Sequence, residues 1–276
     1  MELIETRVRG VLAASPPVHA SVVVRRAGCA DLVSIAPDAV FHAASTMKVP
    51  VLVELYRRVA AGALALDDTL PVTTCFRSLA DGSPYVLSPA SDTELGLYDR
   101  VGELVTLREL AALMITVSSN VAANMLVELL GAPAVSAAMA DLGAPSLRVL
   151  RGVEDLRGFD AGLNNTVTAR GLATLFEELA LGRILSPAAS EEMLSVLAGQ
   201  AFNHAIPAGL PAGLRVAHKT GSITGLFHDA GVVLDGPGAP WVIVALTQGL
   251  PEDDAAPALI AAVAHQVYEA ICAASA

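Results

Sequence analysis

Three short clusters along this chain carry side chains able to do acyl chemistry: Ser45-Thr46-Met47-Lys48, Ser118-Ser119-Asn120 and Lys219-Thr220-Gly221. Taken singly, each has an ordinary reading. A Ser-x-x-Lys turn reads as a capping serine before a solvated lysine, Ser-Ser-Asn before Val121 as another helix cap, and Lys-Thr-Gly as an exposed strand end. Lysine usage argues against three coincidences. The chain holds 15 arginines and only two lysines, Lys48 and Lys219. Arginine does not lose its proton, whereas a lysine that is desolvated or crowded by another cation can, and then acts as a base. That need fits Lys48. For Lys219 the advantage is a compact charge near the hydroxyl of Ser118.

The elements that must position these residues follow from periodicity. Leu3, Val8 and Val11-Leu12 make an amphipathic opening helix that stops before Pro16-Pro17. Short strands are expected at 19–24 and 32–35, and a helix at 45–60. A loop-like stretch follows at 73–105, then helices near 106–117, 119–130, 132–142, 168–181 and 186–198. After Ala205 the character changes: 214–218, 228–234 and 241–247 are β-rich runs bounded by Gly and Pro, and an apolar helix closes the chain at 255–273. Strands at both ends with helices between them predict an α/β fold with an all-α insertion. An antiparallel sheet is drawn from both chain ends and flanked by the terminal helices, with an inserted helical lobe. The expected division is 1–40 with 205–276 as the α/β domain and 41–204 as the helical domain, the active site between them.

Composition removes several classes. The 276 residues carry 28 acidic and 17 basic side chains, net charge −11, a field that repels nucleic acid and anionic membranes. The chain is 54% hydrophobic and 16% charged, which excludes disorder. The uncharged run Ala111–Val127 is interrupted by Thr116, Ser118, Ser119, Asn120 and Asn124, so no membrane span is expected there. Cys29, Cys75 and Cys272 are odd in number and scattered, without C-x-x-C or H-x-x-x-H spacing. Neither a disulfide scaffold nor a structural metal site is signalled. The first residues mix charge with apolar side chains and lack a secretory pattern, which places the protein in the cytoplasm unless a presequence directs it to the periplasm or the exterior.

The three clusters, in this order and spacing, resemble the serine penicillin-recognising enzymes, specifically the class A β-lactamases and their D,D-peptidase-like relatives. The resemblance runs from the first strands to the closing helix. It implies that Ser45 is the acylated nucleophile, that Lys48 takes its proton one turn on, and that Ser118 relays a proton to the leaving nitrogen. Asn120 would hold the substrate's amide side chain, and Lys219 and Thr220 its carboxylate. Gly221 would let substrate pack on the strand, and the backbone N–H groups of Ser45 and Ser222 would form the oxyanion hole. His228 stands near where such enzymes often place a carboxylate-holding arginine, and could do that job or pair structurally with Asp229. Tyr98, shortly before Ser118, could wall the site or simply pack.

The family's deacylation base, a glutamate in Glu-x-x-Leu-Asn, has no copy here. Phe159-Asp160-Ala161-Gly162-Leu163-Asn164 repeats the pattern with aspartate, but runs almost directly into Thr166-Val167-Thr168. If instead Arg151 and Asn165 anchor the loop's ends, Glu154 falls near the base position. That register is favoured, because loop length is harder to absorb than motif drift; either carboxylate could equally be a solvated loop charge. The expectation is thus a β-lactamase-type acyl-serine hydrolase with weak turnover. It would need no metal and no cofactor, take a small β-lactam or related acyl substrate, and be a monomer. The competing expectations are a D,D-peptidase or esterase-like penicillin-binding hydrolase and a non-catalytic β-lactam sensor.

Overall fold

The computed structural model describes residues 2–16, 18–250 and 254–275. In chain order, α1 (Glu2–Ala14), β1 (His19–Arg26), β2 (Asp31–Ile35) and β3 (Phe41–His42) lead through a 3-10 turn, Ala44–Met47, into α2 (Lys48–Ala60). Next come β4 (Thr69–Pro71), β5 (Cys75–Arg77), β6 (Pro84–Val86), α3 (Gly96–Asp99), β7 (Leu104–Thr106), α4 (Leu107–Thr116), α5 (Asn120–Leu130) and α6 (Ala132–Asp141). The chain continues through α7 (Leu156–Asp160), β8 (Thr166–Val167), α8 (Ala169–Ala180) and α9 (Pro187–Ala198). It ends with β9 (Val216–Ile223), β10 (Leu226–Val233), β11 (Trp241–Gln248) and α10 (Ala255–Ser275). Packing divides it into two units, Met1–Thr46 with Val167–Ala276, and Met47–Thr166.

The first unit is built on a five-stranded sheet in the order β2-β1-β11-β10-β9, each neighbouring pair antiparallel. Its strands are apolar on both faces, and both faces are covered. Val22, Val24, Ile243 and Ala245 join a core with Ile4 and Val8 of α1 and Ile260, Val263 and Val267 of α10. By strand alternation, Val23, Val242 and Val244 point to the other face, and α8 packs on β1, β10 and β11. The strands drawn from both chain ends and the flanking terminal helices agree with the expectation. The packing boundary does not follow the one read from the sequence. Because α8 and α9 lie against the sheet, 167–204 groups with it rather than with the helical segment.

The second unit is helical. Here α2 is the central helix, buried from Lys48 through Tyr56, with α4, α5 and α6 packed on it. The stretch 73–105, read from sequence as loop, contains the hairpin β5–β6, pinned by the buried Phe76, and is closed at its ends by the pairing of β4 with β7. Strands of three residues offer too little alternation to be seen in sequence. Within α10, Ala255–Ala274 is long and apolar enough to cross a membrane, but half of it is buried in the fold, the pattern of a core helix.

Candidate active site

In the helical unit the Ser-Ser-Asn cluster occupies the bend between α4 and α5. Ser118 is in the left-handed region, φ 59°, which turns the chain so that its carbonyl and hydroxyl face one point. Lys48, fully buried at the start of α2, fills that point. Its Nζ lies 2.6 Å from Ser118 O, 3.2 Å from Ser118 Oγ and 2.8 Å from Asn120 Oδ1. The arrangement accommodates both protonation states. An ammonium donates to all three oxygens; an amine donates to the carbonyl and the amide oxygen and accepts from the Ser118 hydroxyl. Tyr98 packs half-buried nearby, its hydroxyl donating to Ser88 O and to Asp92 Oδ2, both at 3.2 Å. Burial, with the charges of Asp92, Glu94 and Glu154, pushes its phenol up.

In the sheet unit Ser45 is half-buried in the turn between β3 and α2. Thr46 closes this turn with its N–H (3.1 Å) and hydroxyl (2.6 Å) on Ala43 O, and Ala44 has a φ of 44°. The edge strand β9 runs against that turn. A Cβ on Gly221 would lie 3.0 Å from the backbone nitrogens of both Ser45 and Thr46, so only glycine lets the strand come this close. Strand alternation puts Lys219 on the same face as Gly221. Lys219 is fully buried and donates to Thr220 O at 3.0 Å; burial pulls its amine down to about 7, opposed by the charge of Asp229. Thr220 is buried and Ser222 is exposed at the strand's end. The ordinary reading of Lys219–Gly221 taken singly, an exposed strand end, does not hold: the three residues are buried strand interior.

His228 pairs across the ladder with Gly221 and shares its face. The carboxylate-holding role expected for it does not fit. The ring is fully buried, and burial lowers it to about 4, so it is neutral. With its one proton on Nε2 the ring donates to His42 O at 3.0 Å, and Nδ1 accepts from Thr247 N at 3.2 Å. Phe227 O, 2.9 Å from Nδ1, is the competing partner. His228 thus holds the strand that leads into the Ser45 turn. Nor does it pair with Asp229. That carboxylate engages Nδ1 of His218 at 2.9 Å and accepts from Ile206 N at 3.0 Å, while His218 Nε2 meets Asn203 Oδ1 at 3.0 Å.

The loop from Arg151 to Asn165 has the anchors expected for the second register. Asn165 accepts from Leu150 N (2.7 Å) and Arg151 N (3.1 Å) and donates to Arg151 O (3.0 Å). Asn124 of α5 grips Val153, accepting its N–H at 2.6 Å and donating to its carbonyl at 2.9 Å. Gly152 fits because a Cβ there would run into Tyr85 Oη and Asn124 Oδ1. Asp155 caps α7 through Gly158 N (2.9 Å) and accepts from Leu79 N (3.0 Å). Between these anchors Glu154 is exposed at φ 60°, and Asp160 is exposed at the end of α7. Glu154 lies close enough to bear on Tyr98 electrostatically.

A family model described as "Beta-lactamase enzyme family" matches residues 3–271. The chain belongs to the β-lactamase enzyme family. A β-lactamase of Rhodobacter capsulatus is 33% identical over 208 residues, 74% of this chain and 67% of that protein. Beta-lactamase AST-1 of Nocardia asteroides is 31% identical over 230 residues, 74% of this chain and 73% of that protein. Among solved structures, a substituted form of PBP-A, an acyl-enzyme complex with penicillin G, superposes with a TM-score of 0.85. It has 28% identity and covers 99% of this chain and 97% of that one. A β-lactamase from Sphaerobacter thermophilus gives a TM-score of 0.81 at 27% identity, covering 99% and 98%.

For a β-lactamase-family chain, two residues escaped the sequence reading. Asp92 binds the start of α5, and Asn124 binds the loop at Val153. Asn124 sits four residues after Asn120, on the same helical face, and that spacing was available as a signal. Asp92 lies in Ser88–Glu94, where nothing but turn-forming composition is visible.

Proposed function

We propose that this protein opens β-lactam amides through a covalent acyl-Ser45 intermediate. The observation that carries the reading is the placement of its two lysines: Lys48 buried among Ser118 Oγ, Ser118 O and Asn120 Oδ1, and Lys219 buried on the strand whose Gly221 touches the Ser45 turn. Lys48 takes the Ser45 hydroxyl proton as Oγ attacks the lactam carbonyl. The oxyanion is met by the N–H groups of Ser45 and Ser222. As the C–N bond breaks, Ser118 gives its proton to the leaving nitrogen and recovers one from Lys48. Lys219 and Thr220 hold the substrate carboxylate, and Asn120 the substrate's amide side chain.

Water must then attack the acyl-serine. Glu154 is the favoured base, supported by its nearness to Tyr98 and by the anchoring of its loop through Asn165 and Asn124. Its exposure supports weak turnover, since bulk water around a carboxylate is not a held nucleophile. The same exposure favours the second reading, a penicillin-binding hydrolase that acylates and frees itself slowly. Peptide mapping after incubation with a labelled penicillin tests the nucleophile. The label is expected on Ser45; a label on Ser118, on Ser222 or on no serine contradicts it.

A further inference from the structure

We propose that Asp92 is a positioning residue for acylation, and that with its neighbours Ser91 and Thr93 it sets the Ser118–Asn120 turn around Lys48; the inference rests on the acyl-serine reading. The turn needs an external support. Ser118 has φ 59°, a region that costs a non-glycine residue energy unless the surroundings impose it. The next residues open α5, whose first N–H groups have no partner inside the helix.

Three consecutive residues supply that support. The hydroxyl of Thr93 donates to Val117 O at 2.5 Å, on the α4 side of the turn. On the α5 side, Asn120 N reaches both oxygens of Asp92 at 3.0 Å, and Val121 N reaches Oδ2 at 3.1 Å. Ser119 Oγ takes the third donor, Ala122 N, at 3.2 Å, so an anion and a hydroxyl together cap the helix. Asp92 is itself held, by Thr93 N at 2.8 Å and the Tyr98 hydroxyl at 3.2 Å.

The third contact joins this support to the chemistry. Asn120 Nδ2 donates to Ser91 O at 2.8 Å. A carbonyl accepts only, so this bond decides which way the amide points. Its oxygen is thereby turned to Lys48 Nζ, 2.8 Å away. Asp92 fixes the backbone of Asn120, Ser91 fixes its amide, and Lys48 takes its place from both. Loosening the first link displaces the amine that must collect the Ser45 proton.

The test measures acylation by benzylpenicillin as single-turnover intact mass at several concentrations, together with hydrolysis of the isolated acyl-enzyme and thermal unfolding. The proteins are the wild type, Asp92→Ala and Asp92→Asn. Asp92→Ala is expected to lower the limiting acylation rate roughly 10–100-fold, with half-saturation and acyl-enzyme hydrolysis each changed less than about threefold. Asp92→Asn, which keeps an acceptor for Asn120 N but loses the charge and the second acceptor oxygen, is expected to recover part of that rate and to stay at least about threefold below the wild type. The proposal is overturned if folded Asp92→Ala acylates at the wild-type rate, or if acylation and hydrolysis slow by one common factor, as general loosening would cause. Should Asp92→Ala fail to fold, Asp92→Asn decides: it must acylate at least about threefold more slowly with hydrolysis unchanged, and wild-type behaviour overturns the proposal. A wild type that never acylates removes the acyl-serine reading and the inference with it. A wild type that acylates alongside equally fast variants removes the inference alone.

Discussion

The turn that carries Ser118 and Asn120 and the loop that carries Glu154 are both held at their ends, yet they differ in what is held. In the turn, hydrogen bonds fix the functional groups themselves: the Asn120 amide between Ser91 O and Lys48, and the Ser118 hydroxyl and carbonyl on the same amine. In the loop, Asn165 and Asn124 fix backbone on either side while the two candidate carboxylates stand exposed. Around Ser45 the bonds again hold backbone: Thr46 closes the turn on Ala43 O and His228 grips it through His42 O. The groups proposed to move protons during acylation are held in place; the carboxylates proposed to release the acyl group are not. Preorganisation matters in rate terms, since misplacement by about 1 Å can cost roughly 10²-fold.

The largest expected effect tests the braced side. Lys48→Arg keeps a cation in the turn but removes the amine that accepts a proton, so acylation should fall roughly 10²–10⁴-fold. Wild-type acylation by this variant would end the base assignment.

A second consequence concerns how the Ser45 turn is held. The unfolded chain takes up a proton at His228 near 6.5, which the folded ring refuses until about 4. Stability is therefore full above pH 6.5 and falls as pH drops through this window, by up to about 3 kcal/mol. His228→Gln keeps an N–H for His42 O and does not titrate, so denaturant unfolding of this variant should lack that share of the acid decline. Identical pH curves for the two proteins would refute the neutral, backbone-bound ring.

On the loose side a smaller effect is expected, because a poorly held base has less to lose. Glu154→Gln should slow acyl-enzyme hydrolysis by roughly tenfold while Asp160→Asn leaves it nearly unchanged. The reverse pattern moves the base to Asp160. No change in either variant means that the loop supplies none, and the slow penicillin-binding reading becomes the better one.

The smallest effect separates binding from chemistry. Because burial holds Lys219 at about 7, its positive charge is lost as pH rises past neutrality. Half-saturation for a carboxylate-bearing β-lactam should rise several-fold between about pH 6 and 8. Lys219→Arg stays charged and should flatten that dependence while binding less well overall. A pH-independent wild type would show that this charge does not recognise the substrate.

How far the sequence discloses this depends on whether a contact is local. Lys48 and Lys219 stood out by residue type, and α2, α5 and β11 by continuous apolar patterns of full length. The anchoring of Arg151 by Asn165 was implied by the resemblance to class A β-lactamases, whose loop spacing these two residues nearly match. Asp92 did not stand out, because its partner Asn120 is 28 residues away and its own segment shows only turn composition. His228 was misread for a related reason. Whether a histidine faces water or His42 O depends on the register of β9 on β10, which brings it opposite Gly221. Nothing local to Lys-Thr-Gly reveals that the Ser45 turn packs against the Gly221 face of the strand.

The central claim, that the acyl bond is made by a braced site and released by a loose one, is tested most directly by intact-mass spectra over time after mixing with excess benzylpenicillin. The account predicts rapid, near-complete conversion to a species heavier by one whole penicillin, with a burst of ring-opened product equal to the enzyme present and a slow steady state afterwards. Rapid turnover with no acyl-enzyme accumulating, or product formed without a burst, would contradict it.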